Sequence, residues 1–350
     1  MNRYKKLICL IPFTLALLAT NAHACLTFSL QHDKDLVYGR NFDWDVDVGA
    51  VIVNQRHVCK TAFVIPPDKP VTWVSKYGSV TFNQFSKEVP IGGMNEKGLV
   101  IECLVSRAEY PHPDNRNAIN ELQWIQYHLD TCSTVYEVIK SAQGVRISPY
   151  AVNLHYFISD PTGMSAVIEH TDGKMLYRSG KNLSVKVLAN TNYDLALKTT
   201  ISQDNRFARC ARMIQKYDGR KGAVEFAFDT LDAVSQGDFT KWQVVYDIPG
   251  RRIWFRTLQN KRKKQITLSD FDFKHDTETL IIDVNIDGEG SVQKQFRRYT
   301  AKLNDELMNT AMAEYRKAGI LQHITPDHIE FIRAAVDSCR REDLIMEIKK

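Results

Sequence analysis

The sequence predicts an α+β fold built in layers, and three observations carry that prediction. Strand-like runs dominate residues 25–104, pairs of amphipathic helical patterns separate them from later strands, and no Gly-rich phosphate loop marks a Rossmann-like alternation. The chain has 350 residues, 44% hydrophobic and 25% charged, enough to bury a substantial core.

The first 24 residues stand apart. Arg3, Lys5 and Lys6 form a positive start, residues 7–18 an apolar run, and Ala22-His23-Ala24 a small-x-small cleavage site. This is the pattern of an export signal, and its apolar run is too short to span a bilayer. The expectation is therefore an exported, periplasmic or secreted protein without a transmembrane segment.

From residue 25 the strand-like runs are 26–30, 36–39, 50–54, 61–65, 72–74, 79–83 and 99–104. Asn95-Glu96-Lys97-Gly98 supplies a turn in which Gly98 is free to adopt positive φ. Helical spacing follows at 118–129 and 133–142, with Ser133 and Glu137 as a capped start. Strands resume at 153–159 and 165–169 across the turn Asp160-Pro161-Thr162-Gly163. Helices are expected at 205–217 and 223–234, then a hairpin of 242–247 and 252–258. Two long charged amphipathic patterns, 296–318 and 326–349, close the chain. These readings divide it into a signal (1–24), one domain (25–279) and a helical extension packed on it (280–350).

Charge and cysteine content exclude several partner classes. Residues 1–24 carry three of the 46 basic residues and none of the 41 acidic ones, so their removal lowers the net charge from +5 to +2. A field that weak does not attract nucleic acid. The basic run Lys261-Arg262-Lys263-Lys264 reads as a solvated loop. Six cysteines follow the signal (25, 59, 103, 132, 210 and 339), without a Cys-x-x-Cys pair or the spacing of a disulfide scaffold. The run Asp43-x-Asp45-x-Asp47 is no calcium loop, because Val48 and Asn54 stand where an EF-hand needs Gly and Glu. Neither metal nor cofactor is expected.

The chemistry lies where the signal ends. A cysteine exposed as the first residue can use its own α-amine as base, because the reference pKa of the amine, ~7.7–8.0, is close to the thiol's ~8.5. A peptide-bonded nitrogen cannot accept that proton, so processing would act as an activation switch. A lipid-modified cysteine is the competing reading of Cys25. Ala22 and His23 replace the aliphatic and small residues that such sites prefer.

Downstream, Tyr38-Gly39-Arg40-Asn41-Phe42-Asp43-Trp44, Gly93-Met94-Asn95-Glu96-Lys97-Gly98-Leu99, Leu188-Ala189-Asn190 and Asn205-Arg206-Phe207 occur in order after Cys25. In these segments, spread over residues 25–273, the chain resembles the choloylglycine hydrolase and penicillin V acylase family of linear amide C–N hydrolases. The resemblance implies a four-layer αββα N-terminal-nucleophile sandwich, here with the helical extension added. It implies Cys25 as nucleophile and Arg40 beside its sulfur, favouring thiolate. Asp43 would orient the α-amine, Asn190 would donate to the oxyanion, and Arg206 would complete the charge environment. Taken singly, Arg40 and Asp43 read as a surface pair, Asn190 as a turn former and Arg206 as a solvated charge. Their joint occurrence with Cys25 gives them weight.

The pattern departs from the family at two places. Val105 occupies a position that often carries a second oxyanion Asn or Tyr, leaving only its backbone N–H. Only 15 residues separate Asn190 from Arg206, where relatives carry a longer assembly loop, so their tetramer is not implied and homo-oligomerisation stays open. Trp44 and the short loops resemble members from Gram-negative bacteria. Phe42, Trp44, Phe82, Phe85 and Val105 are candidate lining residues for a small-molecule amide joining an apolar acyl group to a small polar amine. Conjugated bile salts, phenoxyacetyl penicillins and N-acyl homoserine lactones all fit that description. The rivals are a papain-like hydrolase using His155 or His170, and a non-catalytic or lipid-anchored envelope protein.

Overall fold

The computed structural model describes residues 25–199, 205–320 and 333. The export segment and, apart from residue 333, the helical pattern at 326–349 lie outside the described residues. In chain order, Leu26–His32 (β1) and Asp35–Asp43 (β2) form a hairpin, followed by Ala50–Asn54 (β3). Cys59–Thr61 (β4) and Thr72–Val74 (β5) make a small ribbon, and Ser79–Asn83 (β6), Pro90–Asn95 (β7) and Val100–Val105 (β8) a meander. Ala118–Ile119 (β9), Gln123–Thr131 (α1), Val135–Gly144 (α2) and Arg146–Ile147 (β10) come next. A second meander of Leu154–Ser159 (β11), Ser165–Thr171 (β12) and Lys174–Ser179 (β13) leads to Val187–Ala189 (β14). Helices Tyr193–Thr199 (α3), Arg206–Gln215 (α4) and Ala223–Ala233 (α5) precede Thr240–Asp247 (β15), Arg252–Thr257 (β16) and Lys264–Thr267 (β17). Leu280–Asp283 (β18), Gly290–Ser291 (β19), Arg297–Arg298 (β20) and Ala301–Lys317 (α6) complete the described chain.

Two sheets stack face to face. One has seven strands in the order β14-β1-β2-β15-β16-β17-β19, the other nine in the order β13-β12-β11-β8-β7-β6-β3-β18-β20. Helices α4 and α5 cover the first and α1 the second, which makes the four layers α, β, β, α. Because both faces of each sheet are covered, strands such as β3 and β6 are buried along their whole length rather than on alternate residues. Phe82 of β6 fills the space between the sheets, with ring centroids 6.4 Å from Trp242 and Tyr246 and 5.6 Å from Phe255. It is a core residue, which corrects its reading as a substrate-lining one.

Local chemistry explains where elements begin. The helix expected at 118–129 starts later, because the Asn120 side chain accepts from the N–H groups of Leu122 and Gln123, forming a turn that ends β9 and opens α1. Thr134, not Ser133, caps α2, and Glu137 reaches back to complete the capping box. The tail departs furthest from expectation. Its apolar run Leu280-Ile281-Ile282 pairs with β3 and carries β20 on its other edge, while β19 joins β17 in the other sheet, so residues 280–298 extend the sheets instead of starting a helix. Only at Thr300, whose side chain accepts from the N–H of Leu303, does α6 begin. That helix packs Leu303 and Leu307 on Ala50, Ile52 and Ile281, and Ala311 and Tyr315 on Val46.

The basic run also divides. Arg262 pairs with Asp287 and Lys263 with Glu225, but Lys264 is buried in β17, and burial pushes its amine down to about 8. Cys25, Cys103, Cys132 and Cys210 are free thiols. No helix among the described residues is long and apolar enough to cross a membrane.

Candidate active site

Strand register assembles the site. Leu26 opposes Asn41 on β2 and Ala189 on β14, so one step further Cys25 faces Phe42 on one side and Asn190 on the other. Thr27 opposes Arg40, and Thr240 of β15 opposes Asp43. Residues separated by more than two hundred positions, such as Cys25 and Thr240, thus converge at the end of β1. Neither Arg40 nor Asp43 is a surface residue: they are 3% and 1% exposed, and Cys25 is 3% exposed.

The Cys25 thiol donates toward the carbonyl oxygen of Asp43 at 3.7 Å, and Arg40 Nη2 lies 3.9 Å from the sulfur. Arg40 is itself fixed. Its Nη1 donates to the Ile91 carbonyl at 2.8 Å and to the carboxylate of Glu102, whose other oxygen accepts from the Tyr246 hydroxyl. Gly92 is required here, since a Cβ at that position would overlap the Glu102 carboxylate. Burial pushes the Cys25 thiol above its ordinary value, with Arg40 opposing. Arg40 thus favours thiolate, as its place beside the sulfur implies, but desolvation of the sulfur outweighs that charge.

Asp43 has two partners. Arg206 Nη2 donates to Oδ2 at 2.5 Å and Thr240 Oγ1 to Oδ1 at 2.5 Å. Burial raises this carboxyl above its usual range, and Arg206 and Thr240 oppose the rise. Arg206 is the first residue of α4, behind the Asn205 cap, and a cation there runs against the helix macrodipole. Asp43 and the Val234 carbonyl, 2.6 Å from Arg206 Nε, account for its placement. Asn190 follows β14, and its side-chain carbonyl oxygen is buried without a hydrogen-bond partner, so the amide is not consumed by the fold. The segment after it is tied down by Glu169, which accepts from Asn192 Nδ2 at 3.1 Å and the Tyr193 N–H at 3.0 Å.

A narrow, almost wholly apolar cleft of about 50 Å³ lies at Cys25. Phe42, Trp44, Phe85 and Val105 line it, as the sequence led one to expect, and so do Leu122, Cys103 and Tyr315. His155, the candidate partner of a papain-like cysteine, is instead engaged by Glu169 at 3.2 Å, and His170 packs against Tyr110. The sequence reading missed Glu102, Thr240, Tyr246 and Tyr315. None has a local signature, and only the packing of distant strands and of α6 brings them to the site.

Two stacked sheets enclosed by helices, with a cysteine at the head of the first strand, are the layered arrangement of the N-terminal-nucleophile hydrolase fold. Within that class the chain belongs to the linear amide C–N hydrolases of the choloylglycine hydrolase family, whose family model matches residues 25–202. It is similar to a penicillin V acylase of Pectobacterium atrosepticum, 34% identical over 130 residues. That match covers 32% of this chain and 35% of the relative, so the chain spans about a third of the length of that curated relative. Among solved structures, penicillin V acylase from Agrobacterium tumefaciens superposes with a TM-score of 0.69 at 23% identity, covering 79% of this chain and 98% of that one. A mutant of conjugated bile acid hydrolase from Clostridium perfringens gives 0.63 at 18% identity, covering 77% and 99%. These two likenesses establish the fold.

Proposed function

We propose that residues 1–24 are removed on export and that the processed chain hydrolyses linear amides between an apolar acyl group and a small polar amine, with Cys25 as both nucleophile and, through its α-amine, base. The observation that carries this reading is the seating of Cys25 at the foot of an apolar cleft, with Arg40 on its sulfur and the Arg206-held Asp43 behind it. The family match beginning at residue 25 supports cleavage after Ala24.

In this reading the amine takes the thiol proton as the sulfur attacks the amide carbonyl. Asn190 and the backbone N–H of Val105 donate to the oxyanion, the protonated amine passes its proton to the leaving nitrogen, and water hydrolyses the thioester. Asp43 accepts from the amine and holds it toward the sulfur. Since Cys25 is held above the ordinary thiol range, its proton must be removed at attack, and the adjacent amine is suited to that task.

The test is the intact mass and N-terminal residue of the exported protein, followed by an amide panel with Cys25→Ala as control. An unmodified Cys25 terminus, with hydrolysis lost in the variant, is the expected result. A lipidated amine, cleavage elsewhere, or no amide cleaved by the processed chain would overturn the proposal.

A further inference from the structure

We propose that Tyr315 of the C-terminal helix α6 sets the depth of the acyl pocket and makes the protein selective for slender apolar acyl groups, short straight chains or a single aryl ring, against long chains and fused rings. This rests on the amidase reading of Cys25. Tyr315 lies far outside residues 25–202, where the family model matches, yet it lines the same cleft as Cys25. The pocket is thus closed by a part of the chain that the family pattern does not supply.

Tyr315 is built in rather than draped over the opening. It is 1% exposed, its ring stacks on Phe85 with centroids 4.8 Å apart, and Trp44 Nε1 donates to its hydroxyl at 2.7 Å. The hydroxyl donates in turn to Gln84 Oε1, and Gln84 Nε2 donates to the Val46 carbonyl at 3.0 Å. Swinging the ring aside would strand a partly buried indole N–H and a buried amide oxygen, so the wall is stiff. The helix is fixed as firmly. Asn304 Oδ1 accepts from Ser86 Oγ at 3.1 Å and from the Lys87 N–H at 3.0 Å. Because the polar atoms at this end satisfy one another, the pocket offers an acyl group aromatic faces and no hydrogen bond. A planar ring or a short alkyl chain suits such a wall.

The experiment uses the processed full chain, its Tyr315→Ala, Tyr315→Leu and Tyr315→Phe variants, and one amine acylated with straight chains of increasing length, a single-ring group and a fused-ring group. Wild type should show a sharp fall in kcat/KM beyond a limiting chain length. Tyr315→Ala and Tyr315→Leu should move that limit to longer chains, with a gain of at least about ten-fold for the longest relative to the shortest. Tyr315→Phe keeps the ring and should keep the limit. Alkylation of Cys25 by iodoacetamides bearing graded alkyl tails, read by mass, gives the same profile without turnover and remains available in wild type if a variant does not fold. Hydrolysis with the same length limit in all variants overturns the inference and leaves the amidase reading standing. Absent hydrolysis with length-limited alkylation overturns the amidase reading and supports the wall; absent hydrolysis with length-independent alkylation overturns both.

Discussion

Neutralising Glu102 tests whether the buried Arg40–Glu102 pair organises the site. Arg40 is 3% exposed and Glu102 1%, and their direct contact leaves Glu102→Gln with a buried guanidinium that has lost its counter-charge. At ~4 Å between charges and an effective dielectric of ~20, the lost attraction is about 4 kcal/mol, and broken buried pairs commonly cost about 3–5 kcal/mol. Urea unfolding of Glu102→Gln should therefore fall by about 3–5 kcal/mol, a large part of the stability of a typical domain. Arg40→Met should cost a similar amount, and the double variant, which buries neither charge, should recover a coupling of at least about 2 kcal/mol. Alkylation of Cys25 gives a second readout with opposite signs. Glu102→Gln leaves the Arg40 charge uncompensated and should lower the apparent thiol pKa, whereas Arg40→Met should raise it. Single-variant losses below about 1 kcal/mol, or strict additivity, would refute the reasoning.

Three further outcomes are expected. Asn190→Ala should lower kcat by about 10²–10³ while urea stability stays nearly constant, since its side-chain oxygen has no partner to lose; unchanged turnover would remove it from the oxyanion site. Asp43→Asn should slow turnover and cost about 1–3 kcal/mol, because Arg206 loses a charged acceptor while staying partly solvated, and chemical unfolding with a parallel rate assay checks both. His128 is buried, and burial holds its imidazole down at about 3, below its ordinary 6.5. The unfolded chain therefore binds a proton that the native chain refuses between those values, and stability present above pH 6.5 is lost as pH falls toward 3. Wild type should lose about 2 kcal/mol more than His128→Gln between pH 6.5 and 5, and parallel urea curves at the two pH values would contradict this.

What the sequence disclosed and what it withheld have physical reasons. Short-range signals were legible: the hairpin of β15 and β16, the Asn95–Gly98 turn with Gly98 at φ 86°, and the order of strands and helices. The catalytic candidates were legible because each sits within a few residues of a recognisable segment. Strand β13 was missed although Asp172-Gly173, at φ 50° and 71°, is a strong hairpin-turn signal; its mixed and largely unburied residues Lys174–Ser179 lack a clean alternation. Glu102 and Tyr246 were invisible for another reason. A carboxylate inside the apolar strand β8 has no local signature, and its partners Arg40 and Tyr246 lie on other strands of the opposite sheet. Phe82 and Phe85 look alike in sequence, yet only Phe85 lies past the end of β6, where a side chain can reach the cleft. The tail was misread because its strand run Leu280-Ile281-Ile282 is too short to outweigh the long amphipathic pattern behind it.

The charges around Cys25 come in two neutralising pairs, Arg40 with Glu102 and Asp43 with Arg206, and this pairing bears on the proposed chemistry. A lone Arg40 would favour thiolate more strongly, the form of a cysteine most open to oxidation. Glu102 neutralises part of the Arg40 charge, and burial raises the thiol while Arg40 lowers it. Paired charges also leave the cleft floor nearly neutral, which suits an uncharged amide entering between Phe42, Trp44 and Phe85. In the proposed mechanism new charge appears only on attack, as an ammonium at the chain terminus and an oxyanion on the substrate. Asp43 faces the first, and Asn190, whose side chain the fold leaves unspent, faces the second. A site so arranged favours the transition state over the ground state, which is the condition for raising kcat rather than merely lowering KM. In the same proposal the ammonium cannot form before residue 25 becomes a terminus, and the arrangement would be silent until then.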